Sequence, residues 1–247
     1  MKIRVAHLYP EYLNIYADRG NMAVLARRAA WRGHELEVTA VSMGDALRPG
    51  EHDLLYVGGG QDREQALVAV DLAAKGEQVR HAVERGAAAL AVCGGYQLLG
   101  RYYRDRGGVE LPGAGLLPLH TIAGERRMIG DVLLDCAWAR RTLAGFENHA
   151  GRTILDPEAE PLGRVVSGFG NDGASGFEGC RVGRAIGTYL HGPLLPRNPW
   201  FADWVLAQAL AHATGGEPQE LAPLPDELEQ DAHDVASRRA RERGGRF

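Results

Sequence analysis

Cys93 stands where a thiol can be made into a nucleophile. It follows the apolar run Ala87–Val92 and precedes Gly94-Gly95-Tyr96-Gln97-Leu98-Leu99-Gly100, which opens a helix. A side chain at such a strand-to-helix junction projects from a sharp turn, and helix N–H groups aim at it. The positive end of the helix dipole favours thiolate over thiol. Gly94 and Gly95 let the backbone approach a substrate closely. This is the nucleophile-elbow pattern with cysteine in place of serine. Cys136 and Cys180 lack that context and read as structural.

A thiolate nucleophile works with a histidine. Of the nine histidines, His191 ends the run Thr188-Tyr189-Leu190 and is followed by Gly192-Pro193. In a parallel sheet the carboxyl ends of the strands line one edge, where sites form. Cys93 and His191 are therefore expected to face the same edge. His149, in Phe146-Glu147-Asn148-His149, competes for the role from a loop-rich region. Acyl transfer also needs backbone N–H groups aimed at the developing oxyanion. Gly58-Gly59-Gly60-Gln61-Asp62 follows a strand-like run. One N–H from Gly59 or Gly60 and one from Gly94 would complete such a hole. A tight turn with a helix cap is the other reading of the triple glycine.

The elements that must hold these residues are legible in the patterning. Lys2–Leu8, Glu35–Val41, Asp53–Val57, Ala87–Val92 and Ala185–Leu190 read as strands. Helical spacing of apolar residues predicts helices over Gly20–Trp31, from Asp62 to about Arg85, from Gly94, and from Pro199 onward. Strands alternating with helices of this length indicate an α/β fold, a mainly parallel sheet flanked by helices. From Val109 to about Val182 the chain is glycine-rich, with short strand-like runs. Antiparallel strands and long loops added to the core are expected there.

The chain has 247 residues, 45% of them hydrophobic and 24% charged, enough to bury a sizeable core. Residues 1–216 read as one domain. Residues 217–247 read as a Pro-rich connector and a charged tail, with acids from Asp226 to Asp234 and arginines from Arg238 to Arg246. That order suits a helix dipole. The tail is read as a solvated helix, with a partner-docking helix as the sharper alternative. A net charge of -4 argues against a nucleic-acid binder with a broad basic face. Lys2 and Lys75 are the only lysines, and neither follows a GxxxxG loop, so ATP binding by a phosphate loop is not expected of this chain. Three cysteines without CxxC spacing give no disulfide framework and no zinc site. No metal and no cofactor is expected. No apolar run is long enough to span a bilayer, and the start MKIRVAHLYP reads as a strand, so a cytoplasmic location is expected.

Ala91-Val92-Cys93-Gly94-Gly95-Tyr96-Gln97 with the distant Tyr189-Leu190-His191-Gly192-Pro193 resembles the class I (triad-type) glutamine amidotransferases, in their cobyric-acid-synthase-like branch. Further stretches are similar to the GatD-like glutaminase subunits of lipid II isoglutaminyl synthase. They are Leu8-Tyr9-Pro10, Leu13 through Tyr16, Ala17 and Asp18 to Asn21, Gly58 to Ala66, Gly145 to Thr153, and Gly187 to Pro196. The resemblance covers roughly residues 1–210. It implies a flavodoxin-like fold, hydrolysis of L-glutamine, and delivery of ammonia to a Mur-ligase-like, ATP-dependent partner that amidates the D-glutamate α-carboxylate of lipid II. Ammonia supply to another acceptor, such as a corrin carboxylate, is the alternative, as is a non-catalytic binding subunit or a stand-alone cysteine hydrolase. The resemblance points to Arg127 as the residue that holds the glutamine α-carboxylate, with Arg126 beside it as the alternative. It also marks a departure. Many relatives carry a glutamate two residues after the histidine, and here that position is Pro193. A heterodimer whose partner supplies the acid is the expectation that follows.

Overall fold

A computed structural model describes residues 1–15 and 19–243. The amino-terminal part alternates strand and helix: β1 (Lys2–Leu8), α1 (Arg19–Ala30), β2 (Glu35–Val41), β3 (Leu54–Val57), α2 (Asp62–Ala74), α3 (Gly76–Glu84), β4 (Ala88–Val92) and α4 (Gly94–Leu99). Then come β5 (Tyr102–Arg104), β6 (Glu110–Pro112), β7 (Leu119–Cys136), β8 (Arg141–Leu155), β9 (Gly163–Ser167), β10 (Phe177–Glu178), β11 (Cys180–Val182) and β12 (Ala185–Thr188). A 3-10 turn at Leu195–Arg197 leads into α5 (Pro199–Thr214), and α6 (Glu227–Arg243) follows.

The first sheet has the order β11-β12-β4-β3-β1-β2. Its five strands from β12 to β2 are parallel, and β11 runs antiparallel at the edge. With β12 as the fifth parallel strand this is the flavodoxin-like order, as expected. Every residue of β3 and β4 is buried, as strands covered on both faces must be. Tyr16, Ala17 and Asp18, part of the family-like stretch before α1, lie outside the described residues.

Two expectations are corrected. The helix predicted from Asp62 to about Arg85 breaks at Lys75 into α2 and α3. The break follows from packing: a Cβ on Gly76 would sit 2.7 Å from the Ala114 carbonyl, so the backbone itself passes close there. The middle region has the expected short antiparallel strands, but two of its strands are long. β7 has 18 residues and β8 has 15, paired antiparallel from Leu119↔Leu155 to Cys136↔Arg141. Two glycines in β8 mark close approach instead of turns. A Cβ on Gly145 would lie 2.9 Å from Leu190, and one on Gly151 only 2.4 Å from Gln97 Nε2. The β7–β8 register shifts between Ala123 and Met128, where Gly124 to Arg127 bulge out of the ladder.

The tail forms a helix, α6, that packs on β7, β8, β9 and the 3-10 turn. Ala240 is buried with Leu133 and Ala144, and His233 bonds Thr142 Oγ1 at 2.9 Å. The connector is tied down by an ion cluster: Arg28, buried on α1, meets Asp203 at 2.7 Å and Asp226 at 2.6 Å. Arg246 lies outside the described residues.

Candidate active site

Cys93 has φ 49° and ψ −107°, the left-handed region that L-residues avoid. Such backbone persists only where its surroundings over-determine it. Here the Cys93 N–H donates to Thr188 O at 2.8 Å, and Cys93 O accepts from the Gln97 N–H at 3.0 Å. The elbow rests on the triple-glycine loop. Gly95 N–H donates to Gly58 O at 3.1 Å, and a Cβ on Gly94 would lie 2.8 Å from Gly60 N. Glycine is needed at both elbow positions because two backbones meet there. Of the loop glycines, Gly60 lines the cleft that holds Cys93. Gly59 sits behind it, its carbonyl accepting from Ile15 N–H at 3.1 Å.

β12 pairs with β4 so that Thr188 lies opposite Val92. The two strands therefore end side by side, with Cys93 one residue beyond and His191 three residues beyond. His191 is buried, and its backbone is paired both ways with Phe146: N–H to Phe146 O at 2.7 Å, and O from Phe146 N–H at 3.2 Å. The next residue, Gly192, has φ 104°, and its carbonyl accepts from Arg197 Nη2 at 2.6 Å. Pro193 packs on the start of α1, where a Cβ on Gly20 would lie 2.6 Å from its ring.

The cleft is about 400 Å³ and is lined by Cys93, Gly60, Gln65, Gln97, Arg127 and His149, among others. Arg127 reaches it from the β7 bulge. Asn148, on β8, holds the guanidinium: Nε donates to Asn148 Oδ1 at 2.9 Å and Nη2 to Asn148 O at 3.0 Å. Arg126 does not line the cleft, and its carbonyl is taken by Arg152 at 3.0 Å. His149 shares the cleft wall. Its ring lies flat on Tyr189, with centroids 3.5 Å apart and planes 2° apart. Its Nδ1 is 2.9 Å from Gly151 O, and its Nε2 is 3.7 Å from Glu147 Oε2. Burial lowers its pKa, outweighing the Glu147 carboxylate, so the ring is held neutral with Nδ1–H donating to Gly151.

Burial pushes the thiols of Cys136 and Cys180 up to about 12, which makes both inert and agrees with their structural reading. Among the described residues no group of three His, Cys, Asp or Glu is arranged to hold a metal ion.

Sequence reasoning overlooked a buried polar layer beneath the cleft. Gln97 Nε2 donates to Tyr189 Oη at 3.0 Å, Tyr189 Oη meets Thr153 Oγ1 at 2.6 Å, and Thr153 meets Thr121 at 2.7 Å. Glu147 accepts from the N–H groups of Phe169 and Gly170 at 2.6 and 2.9 Å. Glu178, also buried, accepts from Tyr189 N–H and Thr188 Oγ1. One signal was present. Glu147, His149, Gly151 and Thr153 alternate along β8 and so share one face. All four are buried.

Residues 4–199 match the profile of the CobB/CobQ-like glutamine amidotransferase domain. The chain belongs to that family. It is a glutamine amidotransferase, as its Cys93 and His191 motifs imply. Two similar proteins are the GatD subunits of lipid II isoglutaminyl synthase (glutamine-hydrolyzing) from Streptococcus pneumoniae and Staphylococcus aureus. Each is 36% identical, over 96% and 97% of this amidotransferase and 93% and 96% of the relative. The fold is shared with a PurLQS structure from Thermotoga maritima, with TM-score 0.57 and 16% identity, over 96% of this chain and 98% of that one. Among the described residues no helix of the amidotransferase is long and apolar enough to cross a membrane.

Proposed function

We propose that this amidotransferase is the glutaminase subunit of a lipid II isoglutaminyl synthase and works in the cytoplasm. The observation that carries the reading is one cleft holding Cys93 on its strained elbow and Arg127 on its bulge. A thiolate at one wall and a guanidinium at another suit an amino acid whose side chain ends in an acylable group. Arg127 holds the glutamine α-carboxylate with N–H groups that Asn148 leaves over, in the planar fit arginine offers. His191 takes the Cys93 thiol proton, and the resulting thiolate attacks the γ-carboxamide carbon. The oxyanion is met by the N–H groups of Gly60 and Gly94, with Gly59 shaping the loop. When the tetrahedral species collapses, His191 returns the proton to the leaving ammonia. Water then attacks the γ-glutamyl thioester and glutamate departs. His149 is passed over as the base because its ring is clamped on Tyr189 and its Nε2 is buried 3.7 Å from Glu147 Oε2.

The ammonia goes to a Mur-ligase-like subunit. That partner uses ATP to activate the D-glutamate α-carboxylate of lipid II, and ammonia completes the amide. Pro193 cannot orient an imidazole, so the partner supplies an Asp or Glu within about 3 Å of the outer His191 nitrogen, the reach of a hydrogen bond. The test is ATP-dependent amidation of lipid II by this chain with and without a purified Mur-ligase-like partner. Amidation that needs both subunits, glutamine and Cys93 supports the reading. A chain that amidates nothing with that partner, yet supplies ammonia to a corrin carboxylate synthetase, overturns it.

A further inference from the structure

β12 ends abruptly, and its end carries His191. Its ladder with β4 stops at Thr188↔Val92. On the other side β11 pairs as Cys180↔Gly187, and that register would continue to Glu178 opposite Tyr189. The continuation fails because the chain leaves for the second sheet at Gly179, with φ 68°. A Cβ there would sit 2.6 Å from Leu162 and 2.7 Å from Gly187 O, so the turn admits only glycine. Asn171 grips this turn from both sides: its Oδ1 accepts from Gly179 N–H at 2.9 Å and its Nδ2 donates to Gly179 O at 3.0 Å. The N–H groups of Tyr189 and Leu190 are thus buried and without a strand partner, a state that costs free energy unless something accepts from them.

The side chains of Glu178 and Thr188 do so. Glu178 Oε1 accepts from Tyr189 N–H at 2.6 Å, and its Oε2 accepts from Thr188 Oγ1 at 3.0 Å. Thr188 Oγ1 in turn accepts from Leu190 N–H at 3.1 Å, and Thr188 O accepts from Cys93 N–H at 2.8 Å. One carboxyl group therefore braces the peptide that leads to His191 and the residue that fixes the Cys93 elbow.

Resting on the reading of Cys93 and His191 as the working pair, we infer that Glu178 is a positioning residue for that pair, its carboxyl group replacing the ladder bond Tyr189 loses where β12 leaves the sheet. The price of keeping it is visible. Glu178 is fully buried, and among the described residues no Arg, Lys or His forms an ion pair with it. The titratable groups around it are acids: Glu147 on β8, Cys136 on β7, Cys180 on β11 and Tyr96 on α4. Burial pushes its carboxyl up to about 8, and Glu147 adds to that. An apolar side chain would be easier to bury but would leave the Tyr189 N–H unaccepted.

The test compares Glu178→Gln, Glu178→Ala and Thr188→Val in the full chain, using a diazo-ketone analogue of glutamine that alkylates Cys93. The maximal labelling rate reports the Cys–His geometry, and the half-saturating concentration reports glutamine binding. Thermal melts report the fold. Glu178→Gln keeps an acceptor for Tyr189 and is expected within about threefold of the wild-type rate. Glu178→Ala is expected to lose about 10–100-fold in maximal rate with half-saturation unchanged, the cost of misplacing reacting groups by a fraction of an ångström. Thr188→Val should fall in the same direction. A folded Glu178→Ala labelled at the wild-type maximal rate, or one changed only in half-saturation, overturns the inference. If Glu178→Ala does not fold, a wild-type rate in Thr188→Val overturns it instead. Failure of the wild-type chain to label at Cys93 refutes the underlying site reading, a distinguishable outcome.

Discussion

The backbone at Cys93 carries a strain that its chemistry explains and its stability does not. A non-glycine residue at φ 49° costs on the order of 1–3 kcal/mol. Glycine escapes that penalty, so the usual order of alanine above glycine should disappear here. Cys93→Gly is expected to melt no lower than Cys93→Ala, and both should release no glutamate. A Gly variant melting several degrees below the Ala variant would show that the elbow is unstrained. Arg127 is the second test at this scale. Loss of a charge-assisted pair costs about 1.5–3 kcal/mol, so Arg127→Ala should raise the glutamine KM by roughly 10–150-fold. Arg127→Lys should recover little, because lysine lacks the planar fork. Arg126→Ala should leave KM near wild type, since Arg126 does not line the cleft.

At the scale of elements, the amino-terminal edge of the main sheet is pinned by Asp53. Its buried carboxylate accepts from Arg4 N–H at 2.8 Å and Arg4 Nη2 at 2.9 Å, and meets His212 Nδ1 on α5 at 2.8 Å. Burial alone would raise the Asp53 pKa. The hydrogen bonds from Arg4 and His212 outweigh it and hold the carboxyl below its ordinary range. A depressed folded pKa stabilises above the unfolded value, about 3.9, and that stabilisation is lost as pH falls through the folded value. Melting curves should therefore show wild type losing stability below about pH 4. Asp53→Asn should be less stable at neutral pH by about 1–3 kcal/mol and less sensitive to acid. An acid dependence identical in both proteins would remove Asp53 from this role. The β7 bulge is the other decisive element, because without the extra residues Arg127 would stand in the ladder rather than at the cleft.

For the whole molecule, the question is how glutamine hydrolysis is tied to use of the ammonia. Both oxygens of the chain's own Glu147 accept backbone N–H groups from Phe169 and Gly170, and those of Glu178 are committed to Tyr189 and Thr188. In the proposed complex the acid comes from the partner, and a glutaminase finished by its synthetase couples ammonia supply to demand. Adding the Mur-ligase-like partner is expected to raise glutamine hydrolysis by about 10–1,000-fold, within the range a group that orients or assists a base supplies. Mutating the partner's acid should reverse the gain with this chain unchanged. A chain that turns over glutamine at full rate alone, and gains nothing from that partner, would refute the arrangement. α6 buries one face on its own second sheet, so any contact it makes with a partner uses the opposite face, where Leu228 and Val235 are exposed.

Local sequence alone determined the parallel core, the elbow at Cys93, the strand end before His191 and the glycine loop. Each is written in contiguous residues whose type and period carry a backbone geometry: an apolar run, a Cys-Gly-Gly, a triple glycine. Arg127 came only through likeness to a family, since nothing local separates one arginine from 25 others. Tertiary structure decided the rest. The length of β7 and β8 was hidden because Gly145 and Gly151 look like breakers, yet serve close packing against Leu190 and Gln97. The break at Lys75 depends on Ala114, far along the chain. Glu178 gave no signal at all, one of two acids, with Asp172, in a glycine-rich stretch. Its meaning exists only where a turn at Gly179 ends one ladder and leaves the Tyr189 N–H to be satisfied by Glu178 and the Leu190 N–H by Thr188. Periodicity reports which face of an element is buried, whereas hydrogen bonds that cross between elements depend on where the chain returns, and no local pattern records that.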